Sequence, residues 1–244
     1  SRDDIQQLSR ESGRSLTILR RRLSKLAGIR TPEWAIDTKH AANLVPFLLA
    51  GAWKTNDEAA ADQTILSLLA HDMPYRTLEA NFVTLLQLED SPVWSVSTYH
   101  GLVSKMDALF AVSHSIQRED IDTFFQVAEL VLSEGDPALD LPEEKRWMAS
   151  VYDKVRDVST ALRDGICETL VLFSVYGPTL FKKRLGVDTA AKARQLVHTL
   201  LTPLTVNTLE SQYNDLSMYA EASPEAFLDI LETDLESADP VSLS

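Results

Sequence analysis

What most constrains this chain is the way proline and glycine interrupt its helical apolar spacing. Through the second half, Gly135-Asp136-Pro137, Gly177-Pro178, Pro203 and Ser223-Pro224 make sharp breaks. They leave segments of the usual globular-helix length, about 12–20 residues for most. Within the segments apolar side chains recur at i, i+3, i+4 and i+7, the period of a helix with one buried face. The spacing predicts helices over 119–133, 143–176, 189–201, 208–222 and 224–235, with Gly165 a point of interruption inside the long one. Short turns between such segments favour antiparallel helical hairpins stacked side by side. No fixed sequence period accompanies them, so no repeat family follows. The expected fold class is mainly α.

The first half adds one element of another kind. Thr31-Pro32-Glu33 reads as a helix start, with a capping residue, a proline in the first turn and an acid at the positive dipole end. Trp34 to Ala52 is mostly apolar, and Pro46 is expected to kink or break it. A further helix over 57–69 should bury Ala61, Ile65, Leu68 and Leu69. Pro74 opens another, in which Leu78, Phe82, Leu85 and Leu86 share a face. The stretch SPVWSVSTYHGLVS is instead enriched in β-branched and aromatic residues, and Gly101 suits a turn. It predicts a short β-hairpin near 93–103. A soft boundary at 113–118 then divides the chain into a helical domain, 1–115, that carries the hairpin and a helical-hairpin domain, 116–244.

At the amino terminus, Asp4 to Leu26 has the spacing of a known device. Ile5 and Leu8 form one apolar stripe, and Leu16, Leu19, Leu23 and Leu26 form a second. Gly13 can take positive φ at the turn between them, and Ser15 can cap the second helix. Residues 4–26 resemble the helix-turn-helix of bacterial repressors, which implies a recognition helix over 16–26. Helix, helix, hairpin is also the order of a winged helix, and a hairpin appended to a helical bundle fits equally. The resemblance has two departures: Arg14 and Arg22 stand where that family buries apolar side chains. Arg20, Arg21 and Arg22 also fan across roughly 200° of helix surface, so they cannot all enter one groove. Arg14, Arg20, Arg21 and Arg22 are therefore candidates for three roles. They can form a solvated or internally paired face, contact DNA, or contact phosphate or nucleotide in a larger assembly. The expected core comprises Leu16, Leu19, Leu23, Phe47, Leu85, Leu172 and Phe227.

Charge sharpens that choice. Residues 1–30 hold eight Lys or Arg against three Asp or Glu, a net of +5, and the rest hold 15 against 33, a net of −18. From Asn207 onward there are nine acidic residues and no Lys or Arg. So acidic a body repels nucleic acid and is an electrostatic partner for the basic face. With 45% apolar and 24% charged residues the chain has the composition of a soluble globular protein. No signal peptide or membrane-length apolar run stands out, which leads us to expect a cytoplasmic protein. The chain begins at Ser1 rather than Met, and we expect a segment of a longer protein.

Catalytic chemistry is sparse. Histidines 40, 71, 100, 114 and 198 share no metal-ligand spacing, and no HExxH occurs. Cys167 stands alone in an apolar run, as a small buried hydrophobe would. No GxSxG, GxGxxG or GxxxxGK[ST] is present. Glu143, Glu144, Asp153 and Asp157 suit helix starts and polar faces. We expect no catalytic residue, no cofactor and no metal site.

The phrases SGRSLTILRRRLS, TPEWA, LVPFLLAGAW and AEASPEAFLDILETDLE resemble segments of large bacterial multidomain proteins. In those proteins a STAND-type nucleotide-binding module precedes a long helical region, and some of them act in antiphage defence. The resemblance implies a helical scaffold or regulatory arm beside an ATPase. No phosphate-binding motif is present here, so none of the family's nucleotide-site residues carries over and the ATPase would lie upstream. The implied partners are other domains of the same chain or another protein, with no membrane. The competing expectation is a DNA-binding transcriptional regulator using the basic helix 16–26.

Overall fold

The computed structural model describes residues 32–56, 59–237 and 240–241. The helix-turn-helix-like stretch, with Leu16, Leu19 and Leu23, lies outside the described residues. The fold is mainly helical with a small three-stranded antiparallel sheet.

Its first half is built around one buried helix. After a single turn, α1 (Glu33–Ile36), Asp37 caps α2 (Thr38–Ala50) by accepting from the Lys39 and His40 backbone N–H groups at 2.8 and 2.9 Å. Those bonds, His40's above all, hold the Asp37 carboxyl below its ordinary pKa. The break therefore falls at Asp37 rather than Pro46, which lies inside α2. Proline forfeits one backbone bond, but Leu44, Val45, Phe47, Leu48 and Leu49 are buried around it, and that packing holds the helix. Gly51, at φ +84°, ends α2 and turns the chain into β1 (Ala52–Lys54).

This strand was expected as the end of a helix. Pairing decides otherwise: β1 lies antiparallel to β3 (Tyr99–Leu102), with Trp53 opposite His100, and β3 pairs on its other edge with β2 (Val93–Val96). The predicted hairpin is thus two-thirds of a sheet ordered β1-β3-β2. Gly101 is not its turn. Ser97, at φ +54°, turns the hairpin, while Gly101 sits in β3 beneath the Trp94 ring, 2.6 Å from where its Cβ would stand. The sheet's aromatic face closes the core: Phe47 stacks on Trp53 at 5.2 Å and Phe82 on His100 at 4.2 Å. Burial pushes the His100 pKa down.

Between β1 and β2 come α3 (Ala60–Leu69) and α4 (Tyr75–Leu86). The buried stripe of α3 is Asp62, Ile65, Leu66 and Leu69 rather than the one centred on Ala61 and Leu68. In α4, Leu78, Phe82 and Leu85 are buried and Leu86 is exposed. Asp62 is drawn inward because the turn it faces supplies donors. It accepts from Lys54 N at 2.8 Å and from Ser159 N and Oγ at 2.8 and 2.5 Å.

Next come α5 (Lys105–Val112) and α6 (Arg118–Leu132), the latter opened by a Gln117/Asp120 capping box. The expected helix over 143–176 is not continuous. Residues Glu143–Tyr152 form 3-10 turns, Asp153 ends them in the left-handed region, and α7 (Thr160–Val175) begins only after Ser159. Gly165 does not interrupt α7. It is the point where α7 closes on Ala50 and Gly51, and a Cβ there would collide with the Ala50 carbonyl oxygen. The remaining helices are α8 (Gly177–Leu185), α9 (Thr189–Leu201), α10 (Val206–Gln212), α11 (Leu216–Ala222) and α12 (Pro224–Leu235). The helix expected over 208–222 is thus two, parted at Tyr213–Asp215. Phe47, Leu85 and Leu172 are buried, and Phe227 is half-buried against the same core. That core is continuous across 113–118: α7 packs against both α2 and β1 before it meets α9 and α11.

Candidate functional site

The close approach of α7 to the end of α2 leaves a cavity of about 510 Å3 beside it. Its walls come from Gly51 and Ala52, from the start of α5 and from the first half of α7. Ser104 caps α5, accepting from Asp107 N at 3.3 Å, and this cap fixes the direction in which Lys105 leaves the backbone. Lys105 is only 5% exposed, and its Nζ donates to the Gly165 carbonyl. Glycine at 51 leaves the amine its room, since a Cβ there would stand 2.6 Å from Nζ. Burial pushes the Lys105 pKa down to about 8, partly opposed by the Glu168 carboxylate. Asp107, Asp164 and Glu168 are exposed along the same cavity, and burial with the nearby Asp215 raises the Asp164 pKa. A buried amine of lowered basicity in a cavity rimmed by carboxylates is the most chemically distinctive group among the described residues.

A second buried cation lies on α7 and is built differently. Arg163, 3% exposed, donates from Nε to Asp215 at 2.6 Å, from Nη1 to the Val131 carbonyl at 2.6 Å, and from Nη2 to the Leu132 carbonyl and Gln212 Oε1 at 3.0 and 2.7 Å. Gln212 returns a bond to Leu132 at 2.8 Å, and the Tyr219 hydroxyl donates to Gln212 at 2.9 Å. The guanidinium therefore caps the carboxyl end of α6 and ties it to α10 and α11. Beside it, burial raises the Cys167 thiol far above its ordinary pKa, which keeps it protonated and inert.

The surface carries a third feature. Trp147, Val151 and Val155 are 79%, 77% and 50% exposed, and Tyr152 between them is exposed as well. The segment that carries these side chains is tied to its neighbours. Arg146 pairs with Glu210 at 3.3 Å, Lys154 with Asp140 at 2.8 Å, and Arg156 donates to the Ser211 carbonyl at 2.5 Å. Tyr213, just past the end of α10, is 75% exposed as well.

The arginines singled out in the sequence, Arg14, Arg20, Arg21 and Arg22, lie outside the described residues. Of the histidines, His71 meets Asp120 at 2.8 Å and His100 stacks on Phe82, while His114 and His198 are exposed. Among the described residues no group of three or more His, Cys, Asp or Glu could hold a metal ion, and no helix is long and apolar enough to cross a membrane. Sequence reasoning missed Lys105, Arg163 and Asp62. Each is a charged residue within an amphipathic pattern, and only the three-dimensional neighbours show that it points inward. The Ser104-Lys105-Met106-Asp107 cap was a usable signal for the start of α5, not for the burial of its lysine. The architecture defines a mainly α protein with a small antiparallel sheet. Protein-family models, curated proteins and solved structures give no match to the chain.

Proposed function

We propose that the chain is a non-catalytic helical scaffold or regulatory arm of a larger bacterial protein, adjoining a STAND-type NTPase module. One observation carries this reading: the exposure of Trp147, Val151, Tyr152 and Val155 on one short segment. Exposed aromatic and aliphatic side chains gathered on one segment are what a protein–protein contact uses as anchors. Its occupant is another domain of the same chain or a protein partner. A photo-cross-linking residue at position 147 of the full-length protein should yield one defined protein adduct, and the same residue at exposed position 183 should not. Adducts of equal, diffuse yield at both positions would overturn the reading.

The second reading, a DNA-binding regulator, is supported by the +5 net charge of residues 1–30. Titrating labelled duplex at two salt concentrations, with wild type and a triple Arg20/Arg21/Arg22→Ala variant, separates the two. We expect no appreciable binding at physiological salt. Tight binding that weakens steeply with salt and disappears in the variant would favour DNA.

A further inference from the structure

We propose that the Lys105 cavity is a carbonyl-binding site, in which the lysine amine forms a reversible imine with a small, uncharged aldehyde. Three observations carry this independently of the scaffold reading. First, Lys105 lines a cavity of about 510 Å3, ample for a molecule of a few heavy atoms, and its Nζ sits between Gly51 and Gly165, which line it too. Second, the amine has a neutral hydrogen-bond partner rather than a counter-ion. Among the described residues its hydrogen-bond partner is the Gly165 carbonyl, and no carboxylate stands within ion-pair distance. Burial without a counter-ion disfavours the charged form, so a minor fraction of the amine is neutral at neutral pH, with its lone pair free. Third, Asp164 and Glu168 lie one helical turn apart on α7 and line the same cavity, as does Asp107.

The groups present balance the chemistry. The protonated amine first gives a proton to a rim carboxylate or to water. Its lone pair then attacks the carbonyl carbon, forming the C–N bond while the carbonyl oxygen takes up a proton. A carboxylic acid at the rim protonates the resulting hydroxyl, which leaves as water as the C=N bond forms. One aldehyde and one ammonium give one iminium and one water, and no oxidant or reductant is needed. The acidic rim also sets the ligand class. Asp107, Asp164 and Glu168 repel phosphorylated or carboxylated aldehydes and admit neutral ones.

The whole chain, unmutated, is treated with glycolaldehyde and cyanoborohydride at pH 7.5, and the reduced adducts are mapped by peptide mass spectrometry. An amine of pKa near 8 is neutral on the order of a hundred times more often at this pH than one of ordinary basicity. Even with slower access, Lys105 should be alkylated about tenfold faster than exposed Lys182 and Lys183. Its rate should rise with pH to a plateau above pH 8. Glyceraldehyde 3-phosphate should lose the preference for Lys105. Labelling of the exposed lysines with none at Lys105 in the folded protein would overturn the proposal. So would equal preference for the neutral and phosphorylated aldehydes.

Discussion

Arg163 and Lys105 are two buried cations that meet the same helix, yet the chain treats them in opposite ways. Arg163 has Asp215 as counter-ion, two helix-terminal carbonyls and a glutamine oxygen around its guanidinium. Lys105 has one carbonyl and a cavity. Burying a charge is tolerated when its partners replace water, and Arg163 meets that condition from several sides. Lys105 does not, and its basicity falls as a result. One end of α7 is thus organised around a closed polar network, and the nearby turn leaves a reactive group in reserve. The difference separates a cation held by a counter-ion and several acceptors from one held by a single carbonyl.

That contrast is most sharply broken by removing one partner. Arg163→Met should cost about 3–5 kcal/mol, since Asp215 would be left as an unpaired buried charge and the α6 carbonyls would lose their cap. Urea denaturation measures it. A cost below about 1 kcal/mol would mean that water replaces the guanidinium easily, and the network would not be the hub described. Next in size is Lys105→Met, where the sign reverses. The folded pKa of this lysine lies below its unfolded value, so the unfolded chain binds more protons between about pH 8 and 10.5. The penalty is therefore full below pH 8 and is relieved as pH rises. The stability of wild type relative to the variant should improve by roughly 3 kcal/mol across that window. Taking the difference between the two proteins removes the titration of Tyr75, Tyr219 and Cys167, whose burial acts oppositely. A flat difference would show an amine already free in water.

Asp62→Ala comes third and tests whether the network principle extends to anions. Its carboxylate serves the Lys54 and Ser159 N–H groups, pinning β1 to the start of α7. Losing it should cost about 1–3 kcal/mol, because both donors stay buried. Rescue by Asp62→Asn to within about 1 kcal/mol would show that acceptor geometry matters more there than charge.

These three residues also mark how far the sequence could be read. Helix class, the breaks at Gly177-Pro178 and Ser223-Pro224, and the hairpin near 93–103 follow from local chemistry: ring constraints, capping and β-branched content. What failed was governed by distant partners. The β1 strand is three residues long and exists because β3 is beside it. Pro46 stays helical because α2 is surrounded, and Gly165 is a contact point because Ala50 arrives there from more than a hundred positions earlier. The break at Ser159 was hidden because the apolar period of 143–152 looks helical, while its Trp147 and Val151 in fact face solvent. Periodicity reports that residues share a face, not what the face meets. The candidate cavity was illegible for the same reason, being assembled from three separate segments.

Trp147 gives the smallest effect on stability and the most informative one for function. Its indole is 79% exposed and anchored by one bond from Nε1 to the Glu144 carbonyl at 2.9 Å. Trp147→Ser should therefore change folding stability by no more than about 0.5 kcal/mol. The other three tryptophans are shielded, with Trp53 and Trp34 buried and Trp94 half-buried over Gly101. Acrylamide quenching of the wild-type chain should then be dominated by one accessible component that the variant lacks. In the full-length protein, if this segment docks as proposed, that component should be protected while the other three tryptophans are unchanged. A stability loss beyond about 2 kcal/mol would instead place Trp147 in a core. Equal quenching in the isolated chain and the full-length protein would leave the segment without an occupant, and the scaffold reading would fall with it.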